Sequence, residues 1–235
     1  MNSIPERFSR TALLTGDDAA KFLAQKKVLI VGVGGVGGYA AENIVRAGIG
    51  EVTLVDGDKV DISNCNRQII ALDSTVGSPK TEVLAARCRE INPDGKFNVI
   101  NRFLKTPEDI SSLLEENFDF AVDAIDDVPV KTELIRQLKQ RNIPFISSMG
   151  AGGKLDPSGV EIADISKTHG CPLARIMRGK MKELRLKNIP TVFSPELPLR
   201  SFTDRKIGSI SYMPAIFGCF CASAAIRELL KQQSL

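Results

Sequence analysis

The sequence predicts an α/β protein in which a doubly wound, mostly parallel sheet carries helices on both faces and ends in an antiparallel C-terminal extension. Three observations predict it. Val28, Leu29, Ile30 and Val31 read as a strand buried on both faces, which breaks into Gly32, Gly34, Gly35 and Gly37 before a helical pattern begins. Five such apolar runs alternate with amphipathic stretches up to residue 150, the rhythm of a parallel sheet. Beyond Met149 that rhythm gives way to short extended pieces. The first two features make the core Rossmann-like.

Taken in order, residues 7–25 have roughly helical spacing interrupted at Thr15, Gly16 and Asp17, and read as two short helices outside the sheet. Residues 27–38 are the strand, glycine turn and helix start. Glycines let the backbone turn tightly and approach a phosphate, and the N–H groups opening the helix favour the anion. Val36, Ala40, Ile44 and Ala47 form the buried stripe of that helix, ended by Gly48 and Gly50. Residues 51–56 are the second strand, and 59–73, without a clean period, an ordered loop or short broken helix. Ser78 and Pro79 predict a helix start, Ser as the N-cap and Pro at the first position. Strands are expected at 97–100, 118–124 and 144–148, and helices at 107–116 and 128–140.

In the extension, 159–165 reads as an antiparallel addition, 173–187 as a basic helix, and 191–194 and 208–212 as short strands. Pro214 opens a last helix whose apolar run, 215–226, is too short to span a bilayer. The expected organisation is one domain: N-terminal helices over 1–25, a nucleotide-binding core over 26–150, and a substrate or dimer extension over 151–235.

Composition narrows the chemistry. The five cysteines form no CxxC pair, which argues against a disulfide framework or a zinc site, and His169 is the lone histidine. Any reaction must therefore rest on carboxylates, Arg, Lys and backbone. Cys171, before Pro172, is expected in an exposed loop, and Cys219 and Cys221 in the core. The N-terminus lacks the basic-then-apolar pattern of a signal peptide, so the cytoplasm is the expected compartment. The net charge is only +3, yet residues 167–206 hold ten Lys/Arg against three Asp/Glu. Such a segment suits a polyanionic partner, or is simply a solvated helix face.

The candidate site residues follow the glycines. Asp56 lies nineteen residues past Gly37, at the end of the second strand, where a carboxylate accepts hydrogen bonds from ribose hydroxyls. That much fits NAD as well as ATP. Asp58, Asn64, Arg67 and Gln68 come next, and Lys80 opens the following helix. Two fixed cations suit a triphosphate better than NAD, and a cation in a first helical turn opposes the macrodipole, a local cost that function explains. Asp123, Asp126 and Asp127 follow the fourth strand. Asp127 is placed to cap the helix that Pro129 opens, which leaves Asp126 for a magnesium ion bound to phosphates.

GVGGVG, LVDGDKVDISNCNRQ, VGSPK and DAIDD, in this order, resemble the adenylating domain of the ubiquitin-activating-type (ThiF/MoeB-like) superfamily over residues 7–150. The resemblance implies ATP and magnesium, with Asp56 on the ribose, Asn64, Arg67, Gln68 and Lys80 on the phosphates and Asp126 on the metal. It also implies a homodimer in which Arg10 reaches the partner's site. Attack of a substrate carboxylate on the α-phosphate would give an acyl-adenylate, with Arg67, Lys80, Arg10 and the metal offsetting charge. The later stretches SSMGAGGKLDPSGVEIADISKTHGCPLARIMR and GSISYMPAIFG look like the tRNA threonylcarbamoyladenosine dehydratase branch, implying tRNA as partner and a possible sulfur-transfer protein. The alternative is adenylation of a ubiquitin-like sulfur carrier's C-terminus. A non-catalytic nucleotide-binding scaffold and an NAD oxidoreductase are the readings outside this chemistry.

Overall fold

The computed structural model describes residues 4–199 and 207–233. Helices α1 (Ser9–Thr15) and α2 (Asp17–Leu23) precede β1 (Lys27–Val31), α3 (Gly35–Arg46), β2 (Glu51–Val55), α4 (Lys80–Ile91), β3 (Lys96–Ile100) and α5 (Pro107–Leu113). Then come β4 (Phe120–Asp123), α6 (Val128–Gln140), β5 (Phe145–Ser148), β6 (Glu161–Asp164), α7 (Pro172–Glu183), β7 (Pro190–Phe193) and α8 (Tyr212–Gln233). The strands form one sheet in the order β3-β2-β1-β4-β5-β7-β6, parallel except for the final β7–β6 pair. The antiparallel addition is thus where the sequence puts it.

Two apolar layers sandwich the sheet. Ile44, Leu84, Phe217 and Leu229 from α3, α4 and α8 cover one face, while Ile110, Leu134 and Met177 from α5, α6 and α7 cover the other. The last helix is longer than its apolar run suggests: it has 22 residues and is long and apolar enough, by length and composition, to cross a membrane. It lies instead on the sheet and along α3, with Met213, Phe217, Cys221, Ala225 and Leu229 fully buried. Gly218 permits this approach, since a Cβ there would sit 2.6 Å from the carbonyl oxygen of Val36.

Three local expectations are corrected. Ser78 does not cap α4; Pro79 occupies the N-cap position without a side-chain bond. The reason is that Ser78 is used as backbone, its carbonyl accepting from Val60 N–H at 2.8 Å beside the Lys59–Pro79 bridge. Residues 208–212 are not a strand: 208–211 are irregular and Tyr212 already belongs to α8. Their backbone is tied to loops, Gly208 O to Gly153 N–H and Ser209 O to the Asn66 amide, so no ladder forms. Helix α7 stops at Glu183, because Arg185 turns left-handed (φ 55°) and Leu186 N–H returns to Met181 O at 2.9 Å.

Candidate active site

Strand β1 has β2 on one side and β4 on the other, so the loops leaving β1 and β4 open the crevice where ligands of such sheets bind. The β1 exit is the glycine turn. Gly32 takes a left-handed φ of 85°, and a Cβ on it would stand 2.7 Å from Ala124 O in the loop after β4. At Gly37 a Cβ would collide with the Gly32 carbonyl, so both positions require glycine for the turn to close. Gly34 faces the Gln68 amide and Gly35 faces Pro214 at the start of α8. The turn is therefore walled by the β4 loop, the Gln68 loop and the last helix.

Asp56 locks this wall. Its Oδ2 accepts the Val33 N–H and its Oδ1 the Asp58 N–H, both at 2.8 Å. Each oxygen retains acceptor capacity for a ribose hydroxyl. Asn64 is buried and closes a capping box with Asp61 over Ile62–Asn64, and its carbonyl accepts from both Arg67 and Gln68 N–H. This short turn aims the next two side chains. Arg67 Nη1 bonds Ser63 O and Asn66 Oδ1, and Gln68 is buried with its Oε1 unpartnered. The Gln68 Nε2 is the end nearest Gly34 and can donate to a phosphate at the turn, whereas the orphaned Oε1 needs a donor such as a hydroxyl or a water.

Lys80 is buried at the first position of α4 and pairs with Asp58 at 2.8 Å. Asp58 also accepts the Lys80 N–H with its own carbonyl, so it fixes both ends of this residue. Asp127 caps α6 through Val130 N–H at 2.9 Å. Asp126 is exposed and, among the described residues, makes no hydrogen bond or ion pair. The described residues contain no cluster of three metal-ligating side chains. One unpartnered carboxylate nevertheless fits a magnesium ion whose other ligands are phosphates and water.

Arg10 is not brought to this chain's site. It is exposed on α1, and the adjoining Phe8 packs on Gly48 at the opposite end of α3, roughly 18 Å from the glycine turn by helix length.

Two buried lysines escaped the sequence reading. Lys131 and Asp123 form a fully buried ion pair beneath the β4 loop, and the signal for it was a lysine on the inward stripe of α6 beside Leu134 and Leu138. Lys154 is also buried, its ammonium donating to Glu196 O, and burial lowers its pKa below the usual lysine value against the opposing pull of Cys171 and Glu196.

Of the five cysteines, Cys65 and Cys219 are exposed and Cys88, Cys171 and Cys221 are buried. Cys171, expected exposed, is instead buried with its thiol against the Gly150 carbonyl, and Cys219, expected in the core, is exposed while Cys221 is core. Burial pushes the Cys88 and Cys221 thiols up to about 12. Of the basic segment, Arg175, Lys180, Lys182, Arg185 and Lys187 are exposed, whereas Arg178 is bonded to Thr168. Arg200, Arg205 and Lys206 lie outside the described residues.

The model of the ThiF family matches residues 8–235. A tRNA threonylcarbamoyladenosine dehydratase of Bacillus subtilis is 38% identical over 242 residues, which covers 96% of this chain and 95% of the relative. Two E. coli crystal structures match at 34% identity. The tRNA N6-threonylcarbamoyladenosine dehydratase in complex with ATP has a TM-score of 0.90 and 99% coverage of both chains. The same enzyme in complex with AMP has a TM-score of 0.92, covering 100% of this chain and 99% of the other.

Proposed function

The chain belongs to the ThiF family, and on that premise we propose that it is an ATP-dependent enzyme that dehydrates threonylcarbamoyladenosine in tRNA by adenylating its threonyl carboxylate. The observation that carries this reading is the match along the whole chain to a dehydratase solved with ATP. The glycine cradle, with Arg67, Gln68 and Lys80 around it, supports the same ligand.

In this reaction a carboxylate oxygen attacks the α-phosphorus; the new P–O bond forms as the bond to the β-phosphate oxygen breaks and pyrophosphate leaves. A nucleophilic group of the same modified side chain then attacks the activated carbonyl. The C–O bond to AMP breaks, the nucleophile's proton passes to solvent, and the net change is loss of one water. No enzyme nucleophile is needed.

Asp56 holds the ribose; Asn64, Arg67, Gln68 and Lys80 hold the phosphates. Asp126 would hold magnesium, which when bound offsets phosphate charge. The protein's contribution is positioning and fixed charge in a walled crevice. The exposed cations of α7 supply phosphate contacts that position the tRNA without reading its sequence. Arg10 completes the site of a second subunit, and the exposed Leu13 and Leu14 on the same helix support such a contact. A tRNA substrate puts the reaction in the cytoplasm. The sulfur-carrier alternative loses support from the lack of any CxxC pair.

The test is AMP release from α-labelled ATP with and without tRNA carrying threonylcarbamoyladenosine, with Asp126→Ala as control. AMP formed only with the modified tRNA, and a nucleoside lighter by one water, is the expected result. AMP formation that ignores tRNA but responds to a carrier protein would redirect the assignment.

A further inference from the structure

Next to the glycine turn, three stretches of the extension are laced together. Gly153 N–H donates to Gly208 O at 2.8 Å, Leu199 N–H to Gly153 O at 2.9 Å, and the Tyr212 hydroxyl to Leu155 O at 2.9 Å. The Asn66 amide, adjoining Arg67, donates to Ser209 O at 3.0 Å and fastens the clasp to the phosphate-side loop. Ile207 lies on Gly152 so closely that a Cβ there would meet its side chain at 2.6 Å. The clasp leaves apolar side chains in solvent: Leu155 is 44% exposed, Ile207 63% and Tyr212 40%.

This patch borders the glycine turn at one end and the start of helix α7, which carries exposed cations further along, at the other. Pro214, two residues after Tyr212, faces Gly35 of the turn, while Gly150, at the other end of the clasp, touches Leu173 and Cys171 at the start of basic helix α7. A ligand crossing it must offer both flat apolar faces and negative charge, as unpaired nucleotides do. The Tyr212 ring is suited to meet them, since its hydroxyl is already bonded to Leu155 O and little side-chain freedom is left to lose.

We propose that Tyr212, whose hydroxyl is anchored on Leu155 O, is a stacking platform for an unpaired base of the substrate tRNA next to the nucleoside being modified. This rests on the tRNA reading above. Base–aromatic stacking contributes about 1–3 kcal/mol per base, which corresponds to roughly 5- to 150-fold in binding.

Two measurements test it. In steady-state AMP release, Tyr212→Ala is expected to raise KM for modified tRNA by roughly 5- to 150-fold and to leave ATP affinity unchanged, while Tyr212→Phe, which keeps the ring, stays near wild type. The second needs no turnover. The chain has no Trp and two Tyr, so in a Tyr39→Phe protein Tyr212 is the remaining fluorophore, and a short single-stranded oligoribonucleotide is expected to quench it. An unchanged tRNA KM in Tyr212→Ala, equal weakening of ATP and tRNA, or no quenching overturns the platform. Quenching by RNA in the Tyr39→Phe protein, with wild type forming no AMP on modified tRNA, would instead sink the functional reading and leave the platform standing.

Discussion

The Lys131 ammonium and the Asp123 carboxylate meet at 2.9 Å with neither side chain exposed. Ser147 Oγ donates to the same carboxylate oxygen at 2.7 Å, and Lys131 also donates to Ile125 O at 2.9 Å. The pair therefore pins the backbone immediately before Asp126. Replacing Lys131 by Met strands a buried carboxylate and is expected to cost about 3–5 kcal/mol. Urea unfolding measures it. A Lys131→Met, Asp123→Leu double variant should recover part of that loss, and a loss below about 1 kcal/mol in the single variant would mean the pair is wet in solution.

Glu42, at the centre of a second ionic cluster, gives a pH prediction. Burial pushes its carboxyl up, but hydrogen bonds from Arg87 and then Arg46 more than reverse this and hold it below the ordinary value of 4.5. With the folded pKa depressed, the unfolded chain binds more protons on the acid side of 4.5. The stabilisation is present above that pH and is lost as pH falls through the folded value. Urea midpoints of wild type and Glu42→Gln, well separated near neutrality, should converge as the pH drops below 4.5. A gap independent of pH would rule out a charge effect.

Gly34→Ala separates the cradle from the fold. An added Cβ meets nothing closer than the Gln68 amide at 3.7 Å, ordinary contact, and the backbone φ is negative. The protein should unfold at the wild-type urea midpoint. Yet the methyl group occupies the space a phosphate needs to reach the turn, so the thermal shift induced by ATP is expected to vanish. A retained shift would place the phosphates elsewhere.

Much of this was legible because backbone and apolar pattern carry it. The first five of the six parallel strands are the five apolar runs, and α6 begins and ends at the predicted Val128 and Gln140 because Asp127 caps it and Pro129 sets its first turn. What was not legible depends on partners distant in sequence. Ser78 looks like a cap, but Val60 claims its carbonyl. Residues 208–212 carry the alternation of a strand, but Gly153 and Asn66 hold them in place of a neighbouring strand. Lys131 sits on the inward stripe of α6, and only the folded chain shows Asp123, eight residues earlier, beneath it. Asp58 reads as a ligand contact, and only the folded chain shows its carboxylate on Lys80.

Cys171→Ser is expected to keep AMP formation near wild type, since the thiol is buried against Gly150 and the reaction needs no enzyme nucleophile. Initial rates with modified tRNA decide this. A hundredfold loss without a matching fall in stability would make Cys171 catalytic.

Lys80 and Asp58 supply the sharpest test of the site, because one acts through the other. A cation at the first position of a helix costs about 0.3–1 kcal/mol against the macrodipole, and here it is buried while its carboxylate partner is half exposed. Such an arrangement holds an ammonium group ready for a more highly charged anion. Lys80→Ala should lower the rate of AMP formation about 10²- to 10³-fold and change unfolding free energy by less than about 1 kcal/mol, because the pair is screened on the Asp58 side. Asp58→Ala leaves the ammonium in place but unaimed, and a loss of roughly tenfold, about 1.4 kcal/mol, is expected. The double variant should then be no worse than Lys80→Ala, since without the ammonium Asp58 has nothing to aim. Losses that multiply would instead show Asp58 acting on the nucleotide independently of Lys80.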